Sequence, residues 1–219
     1  MRKIVAFDFD GTLTTKDTLL AFIRYAKGSS GFWLGFLRYS PLLVLMKLGF
    51  YPNYKAKQKV FAHFFKGMTL EAFDVLCQRF ASDNRHLLRP QALEALNKAI
   101  SEGAEVVIVS ASIDNWVQPF FEGVRREGVR REGRLGSAAC YRRDARRSIQ
   151  VIGTQIEVEE GVLTGRFLTN NCYGQEKVNR IQALFPNRQD YHLTAYGDSR
   201  GDQELLAFAD ESHYKPFRT

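Results

Sequence analysis

Ile4-Val5-Ala6-Phe7-Asp8-Phe9-Asp10-Gly11-Thr12 decides the fold of this chain. Four apolar residues read as a buried strand, and the glycine marks the turn that ends it. The pattern predicts a first strand over residues 3–10 with both carboxylates at its carboxyl end. In an open α/β sheet that is the edge where ligands bind. Residues two apart on a strand point the same way, so Asp8 and Asp10 can reach one pocket. Two neighbouring carboxylates repel unless positive charge stands between them, so the pair asks for a cation.

Downstream of this strand the hydrophobic period is helical as far as Leu88, with helices expected over 17–27, 31–48, 53–66 and 69–88 and breaks at Gly28, Gly31, Gly49, Pro52 and Gly67. Nine of the seventeen phenylalanines fall in this block, which reads as a helical unit with an aromatic core of its own. From Pro90 the rhythm becomes helix, then strand (Ala104–Val109), the step of a parallel sheet. A hairpin is expected over Gln155–Phe167 with Glu160-Gly161 as its turn. A helix over Gln175–Phe185, a strand over 191–196 and a helix from Asp202 complete the chain. The fold class expected is α/β, a Rossmann-like parallel-sheet core (1–14 and 89–219) with an inserted all-helical cap (15–88).

Composition excludes several function classes. The hydrophobic share of 45% and charged share of 25% are those of an ordinary globular protein. Three scattered cysteines and no CxxC argue against a disulfide framework or a zinc site and fit a reducing cytoplasm. No signal peptide is read at the N-terminus. Of the net charge of +7, +5 falls in an arginine-rich repeat, EGVRREGVRREGR at 122–134 and its continuation to 148, which reads as a basic, exposed excursion, so no nucleic-acid partner is expected. FWLGFLRYSPLLVLMKLGF (32–50) is long enough to span a bilayer but is interrupted by Arg38, Pro41 and Lys47. A peripheral membrane contact, an apolar substrate cleft, a dimer contact or the cap's own packing each account for it better.

Four pieces stand just after a strand or at a helix start, where an α/β sheet builds its site: Asp8/Asp10, Ser110, Lys177, and Gly197-Asp198-Ser199-Arg200-Gly201-Asp202. Together they are complete for phosphoryl transfer. A carboxylate nucleophile splits one hard hydrolysis into two easier steps. Its attack on an anionic phosphate needs positive charge, which Mg²⁺ and a lysine supply. A serine hydroxyl can donate to a phosphoryl oxygen, and a second carboxylate can move the leaving-group proton.

This ordered set, DFDGT, Ser110, Lys177 and GDSRGD, resembles the haloacid dehalogenase superfamily of phosphatases over nearly the whole chain. The resemblance implies a phosphomonoesterase with Asp8 as nucleophile and Asp10 as general acid/base. It places the phosphoryl group on Gly11, Thr12, Ser110 and Ala111, and Mg²⁺ on Asp8, the Asp10 backbone carbonyl and Asp198. Lys177 neutralises nucleophile and phosphate, with Ser199 and Asp202 in support. VSASIDNWVQPF and NCYGQEKVNRI look most like subfamily IB, which includes phosphoserine phosphatases and phosphatidylglycerophosphatase-like members. Two departures weigh against phosphoserine. Asp17 stands where phosphoserine phosphatases have Glu, and the 32–50 run replaces a polar cap. A small-molecule or lipid phosphate ester is the expected partner. Lys177, opening a helix taken as exposed, is expected to contribute little to stability.

Overall fold

Five parallel strands form the sheet that positions everything else: β1 (Arg2–Phe7), β2 (Glu105–Ile113), β3 (Gln150–Thr154), β6 (Tyr191–Gly197) and β7 (Glu211–Tyr214), in the order β3-β2-β1-β6-β7. The computed structural model describes residues 1–48, 50–122 and 149–218; the expectation of a basic excursion at 122–148 therefore lies outside the described residues, Glu122 apart. β1 is central and pairs in parallel with β2 (Val5 opposite Val106) and with β6 (Val5 opposite Thr194). The chain runs outward from β1 through β2 to β3, then returns to the other side of β1 as β6. The order reverses between β1 and β6, and in such sheets ligands bind in the crevice at that switch point. Ile4, Ala6, Val107, Val109, Leu193 and Ala195 are buried on one face of the sheet and Phe7, Val106 and Ile108 on the other, so both faces are covered, as a parallel sheet requires.

β1 ends at Phe7, earlier than the sequence pattern predicts. The chain then enters a type II turn. Asp10 (φ −73°, ψ 116°) and Gly11 (φ 82°, ψ −17°) supply its two central conformations, the second of which favours glycine. β2, in contrast, runs on past the expected end at Ser110 to Ile113, and its register against β3 shifts between Val109 and Ile113. That irregularity re-aims the Ser110–Ser112 segment at the sheet's carboxyl edge.

The helical block comprises α1 (Thr18–Lys47), α2 (Asn53–Phe65) and α3 (Leu70–Asp83), followed by α4 (Pro90–Ser101) and the short α5 (Asp114–Val117). α1 is broken at Gly28 (φ 69°, ψ 173°), where the sequence places a boundary. Pro41 lies inside it and cannot donate to the carbonyl of Leu37; the Ser40 hydroxyl donates to that oxygen instead, at 2.9 Å. Thr69 caps α3 as its position suggests, accepting from Ala72 N at 3.3 Å.

The aromatic residues of this block do not form a separate core. Phe22 stacks on Trp116 at 4.9 Å and packs edge-on to Phe80 at 5.2 Å, and Phe80 meets Phe120, which meets Phe9 beside the first carboxylate. One continuous apolar cluster thus joins helices and sheet. The hairpin β4 (Ile156–Glu159) and β5 (Val162–Phe167) forms as expected, with positive φ at Glu160 and Gly161. It lies against α2: a Cβ on Gly165 would stand 2.8 Å from Ala62 Cβ, and Gln58 accepts from Phe167 N at 3.0 Å. α6 (Gln175–Leu184) and α7 (Gln203–Phe208) flank β6.

Candidate active site

Three adjacent strands deliver the predicted residues to one place. Asp8 follows β1, Ser110 and Ala111 lie in β2, and Asp198 follows β6. Lys177, in the first turn of α6, reaches in from the side of the sheet. Its ammonium is buried and donates three hydrogen bonds: to Asp8 Oδ1 at 2.6 Å, to Asp202 Oδ1 at 2.6 Å and to the Val109 carbonyl at 2.8 Å. An ammonium has three protons, and all are used within the protein. This corrects the expectation that Lys177 opens an exposed helix and adds little to stability: it is 1% exposed and locked between two carboxylates. α6 buries Val178 and Ile181 against the apolar face of the sheet, and that packing carries Lys177, one residue before Val178, in with them to the carboxylates.

Asp202 does more than support the site from a distance. One of its oxygens takes the Lys177 bond, and the other accepts from Asp198 N at 3.1 Å, Ser199 N at 2.9 Å and Ser199 Oγ at 2.7 Å. Ser199 Oγ in turn accepts from Gly201 N, closing a capping box at the start of the last helical segment. Asp202 thereby fixes the loop that presents Asp198. Gly197 is needed there, since a Cβ on it would lie 2.5 Å from Asp202 Cβ.

The two carboxylates of the opening motif have separate surroundings. Burial pushes Asp8 up to about 7 against the opposing pull of Lys177. Asp10 is turned to other partners: Oδ1 accepts from Thr18 N at 2.7 Å and Thr18 Oγ1 at 2.6 Å, and Oδ2 accepts from Ser112 Oγ. Burial, and then the charge of Asp17, raise Asp10 above the usual carboxylate range, and these hydrogen bonds work the other way. Trp116 Nε1 donates to Thr18 Oγ1 at 3.2 Å, which sets that hydroxyl's orientation. Thr18 and Ser112 were missed in the sequence; Ser112 stands two residues after Ser110, and that alternation was the available signal.

Asp8, Asp198 and Asp202 each offer a carboxylate oxygen within 4.8 Å of the others, and all three are buried. Thr12 Oγ1 donates to Asp198 Oδ1 at 3.4 Å, and a Cβ on Gly11 would lie 2.5 Å from Asp198 Oδ2. The guanidinium of Arg218 pairs with Asp198 Oδ2, so this cluster already draws positive charge. An all-oxygen, anionic, buried set fits a hard divalent cation such as Mg²⁺. Burial raises Asp198, and Arg218 opposes the rise. Ser110 is fully buried and its Oγ accepts from Ser112 N at 3.0 Å, whereas Ala111 reaches the wall of the adjoining cavity. Cys77 and Cys172 are free and buried; burial pushes the Cys172 thiol up to about 11, so it is no nucleophile at neutral pH.

That cavity has a volume of about 590 Å³ and runs from Asp8, Asp10 and Lys177 up between the helices. Its far wall is apolar: Leu20, Ile23, Phe32, Phe36, Val60 and Phe64. Asp17, Asn53 and Lys57 also line it, and Asn53 Oδ1 is buried without a hydrogen-bond partner among the described residues.

Sheet order, motif order and carboxylate cluster define a hydrolase of the α/β class. The chain belongs to the haloacid dehalogenase-like hydrolase family, whose family model matches residues 5–207. Protein CicA of Caulobacter vibrioides, strains NA1000 / CB15N and ATCC 19089 / CIP 103742 / CB 15, is 36% identical over 221 residues, covering 98% of this chain and 86% of that protein. A protein with unknown function from Bordetella pertussis Tohama I shares the fold at a TM-score of 0.77 and 18% identity, over 97% of this chain and 89% of that one. A substrate-bound phosphoserine phosphatase does so at 0.59 and 18%, over 98% and 86%. At such identities the structural likeness speaks for the fold.

Proposed function

We propose that the protein is a Mg²⁺-dependent phosphomonoesterase working through an aspartyl-phosphate on Asp8, and that its substrates carry a bulky apolar group. The observation behind the reaction is the division of labour between the carboxylates. Asp8 is held against the Lys177 ammonium, which favours its ionised form, and so can attack phosphorus. Asp10, raised by burial and by Asp17, can hold the proton that the departing alkoxide needs, then accept one from the water that attacks the phospho-aspartate. The bond formed is Asp8 Oδ to phosphorus and the bond broken is phosphorus to the ester oxygen; water reverses the first. Asp8, Asp198 and the Asp10 backbone carbonyl would hold Mg²⁺, which when bound supplies charge against the phosphoryl oxygens. Because Lys177 spends its three protons inside the protein, its part is to set the charge of Asp8 and to anchor Asp202.

The apolar wall of the cavity supports the substrate assignment: a small polar ester would leave Phe32, Phe36 and Phe64 uncovered. A second reading, hydrolysis of a free amino-acid phosphate, is favoured by Asp17 and Lys57, which could meet an amine and a carboxylate in the same cavity. Steady-state hydrolysis of a panel including an aryl phosphate, phosphoserine, sugar phosphates and phosphatidylglycerophosphate tests both. Turnover of the aryl phosphate should vanish with EDTA, return with Mg²⁺ and be absent in Asp8→Asn. Full turnover without divalent metal would overturn the reaction. A kcat/KM for phosphoserine far above all other esters would overturn the apolar-substrate assignment in favour of the second reading.

A further inference from the structure

α1 has two apolar faces. After the break at Gly28 its inner face, with Phe32, Gly35, Phe36 and Tyr39, lines the cavity, and Gly35 lets Phe64 of α2 approach so closely that a Cβ would lie 2.1 Å from its ring. The outer face holds Leu34, Leu37, Pro41, Val44, Leu45 and Leu48, at the three- and four-residue spacing of one stripe. These side chains are uncovered: Leu34 is 72% exposed, Leu37 66% and Leu48 63%, and Trp33 and Phe50 border the stripe at 55% and 79%. A contiguous exposed apolar strip of this kind marks a surface that meets something.

Charge identifies what it meets. Residues 18–70 contain eight lysines and arginines and no aspartate or glutamate. That segment alone exceeds the +7 of the whole chain, so the remainder is slightly acidic. Arg24, Lys27, Arg38, Lys55, Lys59 and Lys66 are exposed, and Arg38 borders the apolar stripe directly. A second copy would bring the same uncompensated basic segment against its like, and a nucleic acid would give the leucines nothing to bury in. An anionic bilayer satisfies both parts, taking the apolar side chains below the headgroups and the basic ones among the phosphates. The chain does not cross it, since no helix among the described residues is long and apolar enough.

We infer that the outer face of α1 docks on the surface of anionic phospholipid bilayers. Docking would set the cavity's apolar wall, built on the other face of the same helix, close to the lipid. The inference concerns a surface apart from the catalytic carboxylates and stands or falls separately from the proposed reaction.

The purified protein would be sedimented with vesicles of phosphatidylcholine alone and of equimolar phosphatidylglycerol and phosphatidylcholine. Binding is expected to the anionic vesicles, weakened by added salt, with a blue shift of tryptophan fluorescence reporting Trp33, since Trp116 is already buried. Leu34→Ser with Leu37→Ser, and separately Arg38→Gln with Lys55→Gln, should each lower vesicle affinity by about tenfold. Both variants should leave turnover of a soluble aryl phosphate near wild type, which also reports correct folding. Should the leucine variant misfold, the charge variant and the salt dependence decide. Absence of vesicle binding, equal binding to neutral vesicles, or binding unchanged in the variants would overturn the inference. So would a dimer in solution that the leucine variant converts to monomer.

Discussion

Lys177 concentrates the chemistry of the site in one side chain. It sits between Asp8 and Asp202 with almost no solvent, so its removal leaves two buried carboxylates facing each other without a cation. Although burial disfavours its charge, Asp8 and Asp202 hold its pKa above the ordinary lysine value, so it stays charged at neutral pH. Breaking such a pair costs about 3–5 kcal/mol, far more than truncating a surface lysine. Lys177→Ala should therefore lose both turnover and stability, read as a lowered denaturant midpoint in EDTA. A variant as stable as wild type would contradict the buried geometry. Asp10 offers a second test, through the hydroxyl that holds it. Ser112 Oγ donates to its carboxylate and so favours the ionised form. Ser112→Ala should raise the Asp10 pKa, moving the descending limb of the pH–kcat profile for an alkyl phosphate upward by about one unit. An unmoved limb would assign the general acid elsewhere.

Turns and caps were legible because their signals are local. The Gly11 turn, the Glu160-Gly161 hairpin and the Thr69 cap each depend on residues a few positions apart, and each occurs where the pattern places it. What escaped depends on contacts between distant segments. Asp10 is held by Thr18 and by Ser112, 102 residues away, and Asp198 meets Arg218 only because the chain after β7 returns to the site. The single aromatic cluster joining α1 and α3 to Trp116 and Phe120 was invisible for the same reason. Gly35 shows how an element's position is fixed by one residue. Replacing it by valine would push α1 from α2 against the Phe64 ring, at about 1–3 kcal/mol of overpacking, and would narrow or distort the cavity. Gly35→Val should raise KM for an apolar ester while changing kcat for a small aryl phosphate little. Unaltered KM for both would detach this wall from substrate binding.

At the scale of the whole molecule, the site makes stability depend on pH and metal together. Unfolded, Asp8 titrates near its ordinary 3.8; folded and without metal, burial puts it near 7. Between those values the native state binds the extra proton, so stability falls as pH rises through the window. Asp10 and Asp198, also raised by burial, act in the same direction. Asp202 acts in the opposite one: despite its burial, Lys177 holds it below the ordinary value, so its contribution is intact across the window and is lost only under more acidic conditions. Thermal midpoints measured in EDTA should therefore decline from about pH 4 to about pH 7 once the general effect of the +7 net charge is removed by subtracting the profile of Asp8→Asn. Adding Mg²⁺ should flatten the difference, because a cation among Asp8 and Asp198 stabilises the ionised carboxylates that the empty cluster disfavours. Wild type and Asp8→Asn declining in parallel, with or without Mg²⁺, would mean that the buried cluster is not what couples folding to pH and metal.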